Sequence, residues 1–158
     1  MAITGMQLSV MTQFHDGAGT DGDVYLGLAG REFYVDSFGN DFEWGRGHTY
    51  QFGVSVAEGE VAGDGRLTYP QWNNPRNPPL DEWDVVKNPI YLRFVPRSTP
   101  YGPDRNDNWD LKVATLTIQG DFEVAGFFPV WHAIAPISLG IRRGLQVAFR
   151  PELPPVVD

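Results

Sequence analysis

The run Val24-Tyr25-Leu26-Gly27-Leu28-Ala29-Gly30-Arg31-Glu32-Phe33-Tyr34-Val35 decides the fold class. Val24, Leu26 and Leu28 take every second position, and Phe33 and Val35 do the same after the short Ala29-Gly30 link. Period two sends alternate side chains to one face of a strand, so the run reads as two strands joined by a tight connection. The same rhythm extends outward. Met6, Leu8 and Val10 precede it, and Tyr50, Phe52, Val54 and Val56 follow. Further strands carry Ile90, Leu92 and Phe94, then Leu145, Val147 and Phe149, with Pro151 closing the last. Trp109, Leu111 and Val113 are odd-numbered whereas Leu116 and Ile118 are even, which predicts a β-bulge near Ala114-Thr115. Phe42, Phe52 and Trp109 belong to the expected core. About eight strands with turn-rich links predict an all-β, antiparallel sandwich.

A chain of 158 residues fits one domain, here residues 1–158. Eighteen Gly and thirteen Pro mark many connections, while 13% aromatic residues argue against disorder. The net charge of −8 disfavours a phosphate backbone, so nucleic acid is excluded as a partner. With no Cys there is neither disulfide, thiolate metal site nor cysteine nucleophile. The chain reads as soluble, because residues before Arg31 form neither a charged-then-apolar leader nor a membrane-length apolar stretch. Its location stays open. Residues 57–89, with Pro70, Pro75, Pro78, Pro79 and Pro89, read as a long Pro-rich loop insertion on the surface.

Acidic residues gather at strand ends: Asp16, Asp21 and Asp23; Asp36, Asp41 and Glu43; Asp104 and Asp107. Crowded carboxylates repel unless a cation intervenes, and hard oxygen donors suit calcium; polar turns rich in Asp are the plainer explanation. The helix–loop–helix calcium pattern fails, since Asp41 and Gly47 stand sixth and twelfth from Asp36. Gly17-Ala18-Gly19-Thr20-Asp21-Gly22 matches the dinucleotide fingerprint, but a strand pattern follows it and three aspartates surround it, so it is a decoy. Asp36 and Asp41 are five apart, a separation at which a turn through Phe38-Gly39-Asn40 folds both carboxylates around one ion while Gly39 offers its carbonyl. Thr20 and Asp21 approach from the neighbouring loop.

Gly19-Thr20-Asp21, then Val24-Tyr25-Leu26-Gly27-Leu28, then Asp36-Ser37-Phe38-Gly39-Asn40-Asp41-Phe42 and Gly45, resemble the PLAT family of polycystins, lipoxygenases and alpha-toxins. Asn108-Trp109-Asp110-Leu111-Lys112-Val113 resembles its later acidic loop and strand. The likeness covers roughly residues 4–56 and 90–150. It implies an eight-stranded β-sandwich of two four-stranded sheets that places proteins on lipid surfaces or beside protein partners, often with calcium. It also implies Asp36, Gly39 and Asp41 as ligands, with Ser37 where Asn is common. Gly19-Thr20-Asp21 matches the other ligand loop, and Asp104 falls at an expected second-site ligand.

Phe14, Phe38 and Trp44 flank these loops and form a candidate lipid-inserting tip. Trp72 and Trp83, in the Pro-rich stretch, are candidates to enter a membrane interface, stack on a sugar or contact a protein, or pins that hold the loop down. His15, His48 and His132 lack zinc spacing, Ser138 lacks a nucleophile elbow, and Glu58/Glu60 and Asp81/Glu82 are only sequence neighbours. The sequence therefore predicts a non-catalytic, calcium-binding targeting module for membrane lipid or a protein. The alternatives are a carbohydrate-binding sandwich with structural calcium and an assembly subunit.

Overall fold

A computed structural model describes residues 3–53, 67–122, 127 and 129–153. Its strands are β1 (Ile3–Thr12), β2 (Asp23–Leu28), β3 (Arg31–Tyr34), β4 (Gly47–Gly53), β5 (Tyr91–Val95), β6 (Ser98–Thr99), β7 (Gly102–Pro103), β8 (Trp109–Gly120), β9 (Val130–Ala133), β10 (Ile137–Leu139) and β11 (Gln146–Pro151). Among the described residues, one short helix, α1 (Glu82–Lys87), precedes β5. The hydrogen-bonded order is β3-β2-β5-β11-β9-β8-β1-β4, all antiparallel, with β10 added to β8 and β6-β7 forming a separate ribbon.

The all-β antiparallel reading holds, but the two separate four-stranded sheets do not. The path is continuous because β11 changes neighbours along its length. Gln146–Ala148 pair with β5, and Phe149–Pro151 pair with β9. The sheet consequently curls around its own core. Phe33 on β3 and Phe52 on β4, at opposite ends of the path, meet edge to face with centroids 5.8 Å apart.

Period two located most of this core, but Leu145, expected at the start of the last strand, is exposed and precedes β11. Met6, Leu8, Val24, Leu26, Leu28, Phe33, Tyr50, Phe52, Leu92, Phe94 and Trp109 are fully enclosed, and Phe42 is buried. Val54 and Val56 lie outside the described residues. The bulge is present but earlier than expected. Met11 pairs Val113 and Thr12 pairs Leu111, which leaves Lys112 without an opposite residue. The phase change therefore turns Val113 outward and returns Ala114 to the core.

Of the Pro-rich stretch 57–89, residues 57–66 lie outside the described residues, and 67–89 are more than a surface excursion. Leu67, Leu80 and Val85 are buried in the core. The segment runs along β3, whose outer edge carries no further strand among the described residues. Leu67 bridges Ser37, the Tyr34 amide donates to Asn73 Oδ1 at 2.6 Å, and the Arg31 guanidinium donates to the carbonyls of Trp72 and Asn74. Leu80 then accepts from the Ile3 amide. An unpaired strand edge invites association with another chain, and this non-strand cover satisfies it without offering a new edge. α1 opens with a reciprocal capping box between Asp81 and Asp84.

Candidate functional site

Three connections meet at one end of the curled sheet: residues 13–22 between β1 and β2, 35–46 between β3 and β4, and 96–108 between β5 and β8. Backbone bonds lace them together. The Thr20 amide donates to Phe42, Gly45 to Gln13, and Asp110 to Ala18. A Cβ on Gly19 would stand 2.8 Å from the Phe42 carbonyl oxygen and 3.0 Å from the Trp44 nitrogen, so only glycine lets the first two loops approach this closely. Beneath them lies Trp109, its ring 5.0 Å from Phe42 and its indole N–H donated to Thr12 Oγ1 at 2.9 Å.

A cleft of about 190 Å³ at this end brings together Thr20, Asp21, Asp23, Asp36, Gly39 and Asp41. The sequence placed five of these six at a metal site. Asp41 is the most committed of them. Its Oδ2 accepts from the Ser37 amide at 2.8 Å, and its Oδ1 accepts from Ser37 Oγ at 2.6 Å and from the Tyr50 hydroxyl at 2.8 Å. Ser37 is buried and faces inward as a loop clasp. Asp36 accepts from the Thr68 hydroxyl, and a Cβ on Gly39 would meet open space, so sterics do not demand glycine there.

Electrostatics set Asp36 apart. Burial holds its carboxyl above the usual carboxylate range; the Thr68 bond opposes this, and the nearby Asp41 and Asp23 add to it. Buried Tyr50 is pushed up chiefly by desolvation and then by Asp41. A carboxyl with a raised folded pKa binds its proton more tightly in the folded state. Stability therefore falls as pH climbs from the unfolded Asp value of about 3.9 through the raised folded value, and the penalty is complete above it. In metal-free protein at neutral pH, Asp36→Asn should raise the melting temperature, because an Asn oxygen still accepts from Thr68 while the repulsion disappears. A lowered melting temperature in chelator would show that this charge is not a burden.

Asp104 lies in a second cleft, of about 450 Å³, with Asp21, Trp44, Arg97, Asn106 and Asp107. Arg97 Nη2 donates to Asp104 Oδ2 at 2.6 Å and depresses the Asp104 pKa, while the Asp104 Oδ1 accepts from the Asn106 amide. Arg97 escaped the sequence reading, because Arg105 stands still closer to Asp104 and Asp107 in the chain and nothing in the spacing singles out Arg97 as their partner.

Among the described residues, no group of three or more His, Cys, Asp or Glu side chains converges closely enough to hold a metal ion. The first cleft fits calcium in donor chemistry, offering carboxylate, hydroxyl and backbone oxygens, with Asp36 and Asp41 as its interacting acidic pair. The second does not, because a guanidinium already occupies its acids.

The aromatic expectations divide. Phe14, Phe38 and Trp44 are 61%, 74% and 55% exposed. Phe14 and Trp44 share a cleft with Asn40 and Arg46, and Phe38 sits within the Asp36–Asp41 turn. Trp72 and Trp83 are also exposed but line none of the loop-end clefts. Trp72 stacks on Tyr69 with centroids 4.9 Å apart, and Trp83 lies on α1. The three histidines stay separate: His15 pairs with Asp110 and His132 with Glu152. Among the described residues, no helix is long and apolar enough to cross a membrane.

No family model and no curated protein matches the sequence. Solved structures do match the fold. An alpha-toxin from Clostridium absonum aligns with a TM-score of 0.57 at 14% identity, covering 93% of this chain and 31% of the toxin. Clostridium perfringens alpha-toxin gives 0.54 at 16%, over 94% and 31%. A coral 8R-lipoxygenase, described in terms of calcium activation via a C2-like domain, gives 0.53 at 17%, over 93% and 17%. The chain spans about a third of the toxins and a sixth of the lipoxygenase. At such identities the likeness establishes architecture alone, and that architecture is the PLAT fold expected from the acidic-loop and strand motifs.

Proposed function

We propose that this chain is a non-catalytic, calcium-dependent targeting module that docks its three-loop end on an anionic lipid surface. The observation that carries this reading is the adjacency of an oxygen-lined acidic cleft to the exposed rings of Phe14, Phe38 and Trp44. Rings of this kind partition into a membrane interface. A chain of net charge −8 is repelled by anionic headgroups, and an ion held between Asp36 and Asp41 would cancel that repulsion where the rings enter. Asp36, Asp41, Gly39, Thr20 and Asp21 are the proposed ligands, with Gly19 shaping the loop approach. Ser37 serves through its grip on Asp41, and Asp104 is reassigned to Arg97. Calcium would supply charge neutralisation and a bridge to lipid oxygens. The coral lipoxygenase's C2-like domain supports this reading.

The test is cosedimentation with phosphatidylserine-containing and neutral vesicles, in calcium or chelator. Binding should require both calcium and anionic lipid. Phe38→Ser or Trp44→Ser should weaken it roughly tenfold or more, since burying one large apolar side chain contributes about 1.5–3 kcal/mol. Indifference to vesicles in every condition would remove the lipid reading. A second reading, carbohydrate binding, is favoured by the exposed Tyr69–Trp72 stack; it predicts glycan binding lost in Trp72→Ala and insensitive to Phe38→Ser.

A further inference from the structure

The resemblance implied a second ion beside Asp104, yet the acids there already have a cation. Arg97 Nη2 lies 2.6 Å from Asp104 Oδ2, and Nη1 lies 3.7 Å from Asp21 Oδ2. The Arg97 backbone amide donates to Asp107 Oδ2 at 2.6 Å, and Asp107 Oδ1 accepts from Thr20 Oγ1 at 2.7 Å. The Arg97 carbonyl in turn accepts from the Asp104 amide at 2.7 Å. One residue thus binds its loop through side chain and backbone, and it reaches across to the Thr20-Asp21 loop. We infer that Arg97 is a resident cation that replaces a divalent ion in the second acidic cluster, and so sets how many ions the loop end accepts.

The physical argument concerns displacement. Both Asp104 oxygens and both Asp107 oxygens accept hydrogen bonds, leaving Asp21 as the loosely engaged acid. A divalent ion entering here must expel the guanidinium or stand beside it, against repulsion between like charges a few ångströms apart. Guanidinium stays protonated at any physiological pH and its fork suits carboxylates, so the tether persists when free calcium falls. The tether from Arg97 to Asp104 and Asp107 then persists without calcium, and the response to the ion falls on the first cleft, where the Thr20-Asp21 loop meets Asp36 and Asp41. The inference rests on the proposed calcium reading for that first cleft alone.

Terbium, used as a calcium probe, tests this on the full chain, because Trp44 lines the second cleft and can sensitise its emission. The Arg97 side chain is about half exposed, and glutamine keeps both backbone bonds, so Arg97→Gln should fold. Arg97→Gln should bind one more terbium ion per chain than wild type, and adding Asp104→Asn should remove the extra site. Asp104→Asn alone should leave the wild-type count unchanged. A wild-type site lost in Asp104→Asn, or no extra site in Arg97→Gln, overturns the inference. A wild-type count of zero with one site in Arg97→Gln would sink the proposed calcium site of the first cleft while upholding the role of Arg97.

Discussion

Trp109→Ala should lower the unfolding free energy by about 3–5 kcal/mol, the cost typical of emptying a buried aromatic position. Trp109 is fully enclosed, packs against Phe42 and Phe94, and donates its indole N–H to Thr12, itself buried. Alanine removes the ring contacts and takes from Thr12 Oγ1 its donor. The position magnifies the effect, because Trp109 begins β8 directly after the acidic turn and Phe42 belongs to the loop that carries Asp41. With total stability of about 5–15 kcal/mol for a typical protein, such a loss is a large share of the whole. Trp109→Phe separates the components. It keeps an aromatic body and forfeits the N–H bond, so about 1–2 kcal/mol of the loss should appear, in line with one buried hydrogen bond and a small void. Urea denaturation reads both variants, and equal losses for Phe and Ala would mean that ring packing is not what matters.

Much of the architecture was legible because alternation reports which face a residue takes. It does not report which strand lies alongside. Val147 and Phe149 were correctly assigned to the core, yet nothing in their spacing reveals that Gln146–Ala148 and Phe149–Pro151 pair with different strands. Val113 misplaced the bulge for a related reason: an apolar residue continued the odd-numbered pattern past the true change at Lys112, although its own side chain is exposed. Composition marked the Pro-rich stretch as unfit for a central strand. It could not indicate that Asn73 and Arg31 would fasten that stretch along β3. At the loop end, Thr20, Asp21, Asp36, Gly39 and Asp41, which the sequence had associated, line one cleft. What spacing could not foresee was the direction of individual oxygens, because Ser37, Tyr50 and Arg97 compete as donors from positions set by tertiary structure.

That competition predicts opposite signs for two chemically identical substitutions made without calcium. Asp36→Asn should stabilise, as argued above, whereas Asp41→Asn should cost about 2–3 kcal/mol, the range for losing a buried hydrogen bond to a charged acceptor. Asp41 receives the Ser37 amide, the Ser37 hydroxyl and the Tyr50 hydroxyl on its two oxygens. An Asn amide can present one oxygen to these donors, and its NH2 must then face another donor. Tyr50 is fully enclosed, so its hydroxyl cannot turn to water. Relief of the repulsion with Asp36 offsets part of this loss. For a chain of this size, each kcal/mol corresponds to about 2–4 °C, giving a fall of roughly 4–12 °C. Tyr50→Phe should recover part of the loss when combined with Asp41→Asn, because it removes the stranded hydroxyl. Melting curves in chelator decide the matter: the two Asn variants moving in the same direction would mean that Asp36 and Asp41 form one equivalent acidic pair, and the division into a strained carboxylate and a clasped one would fail.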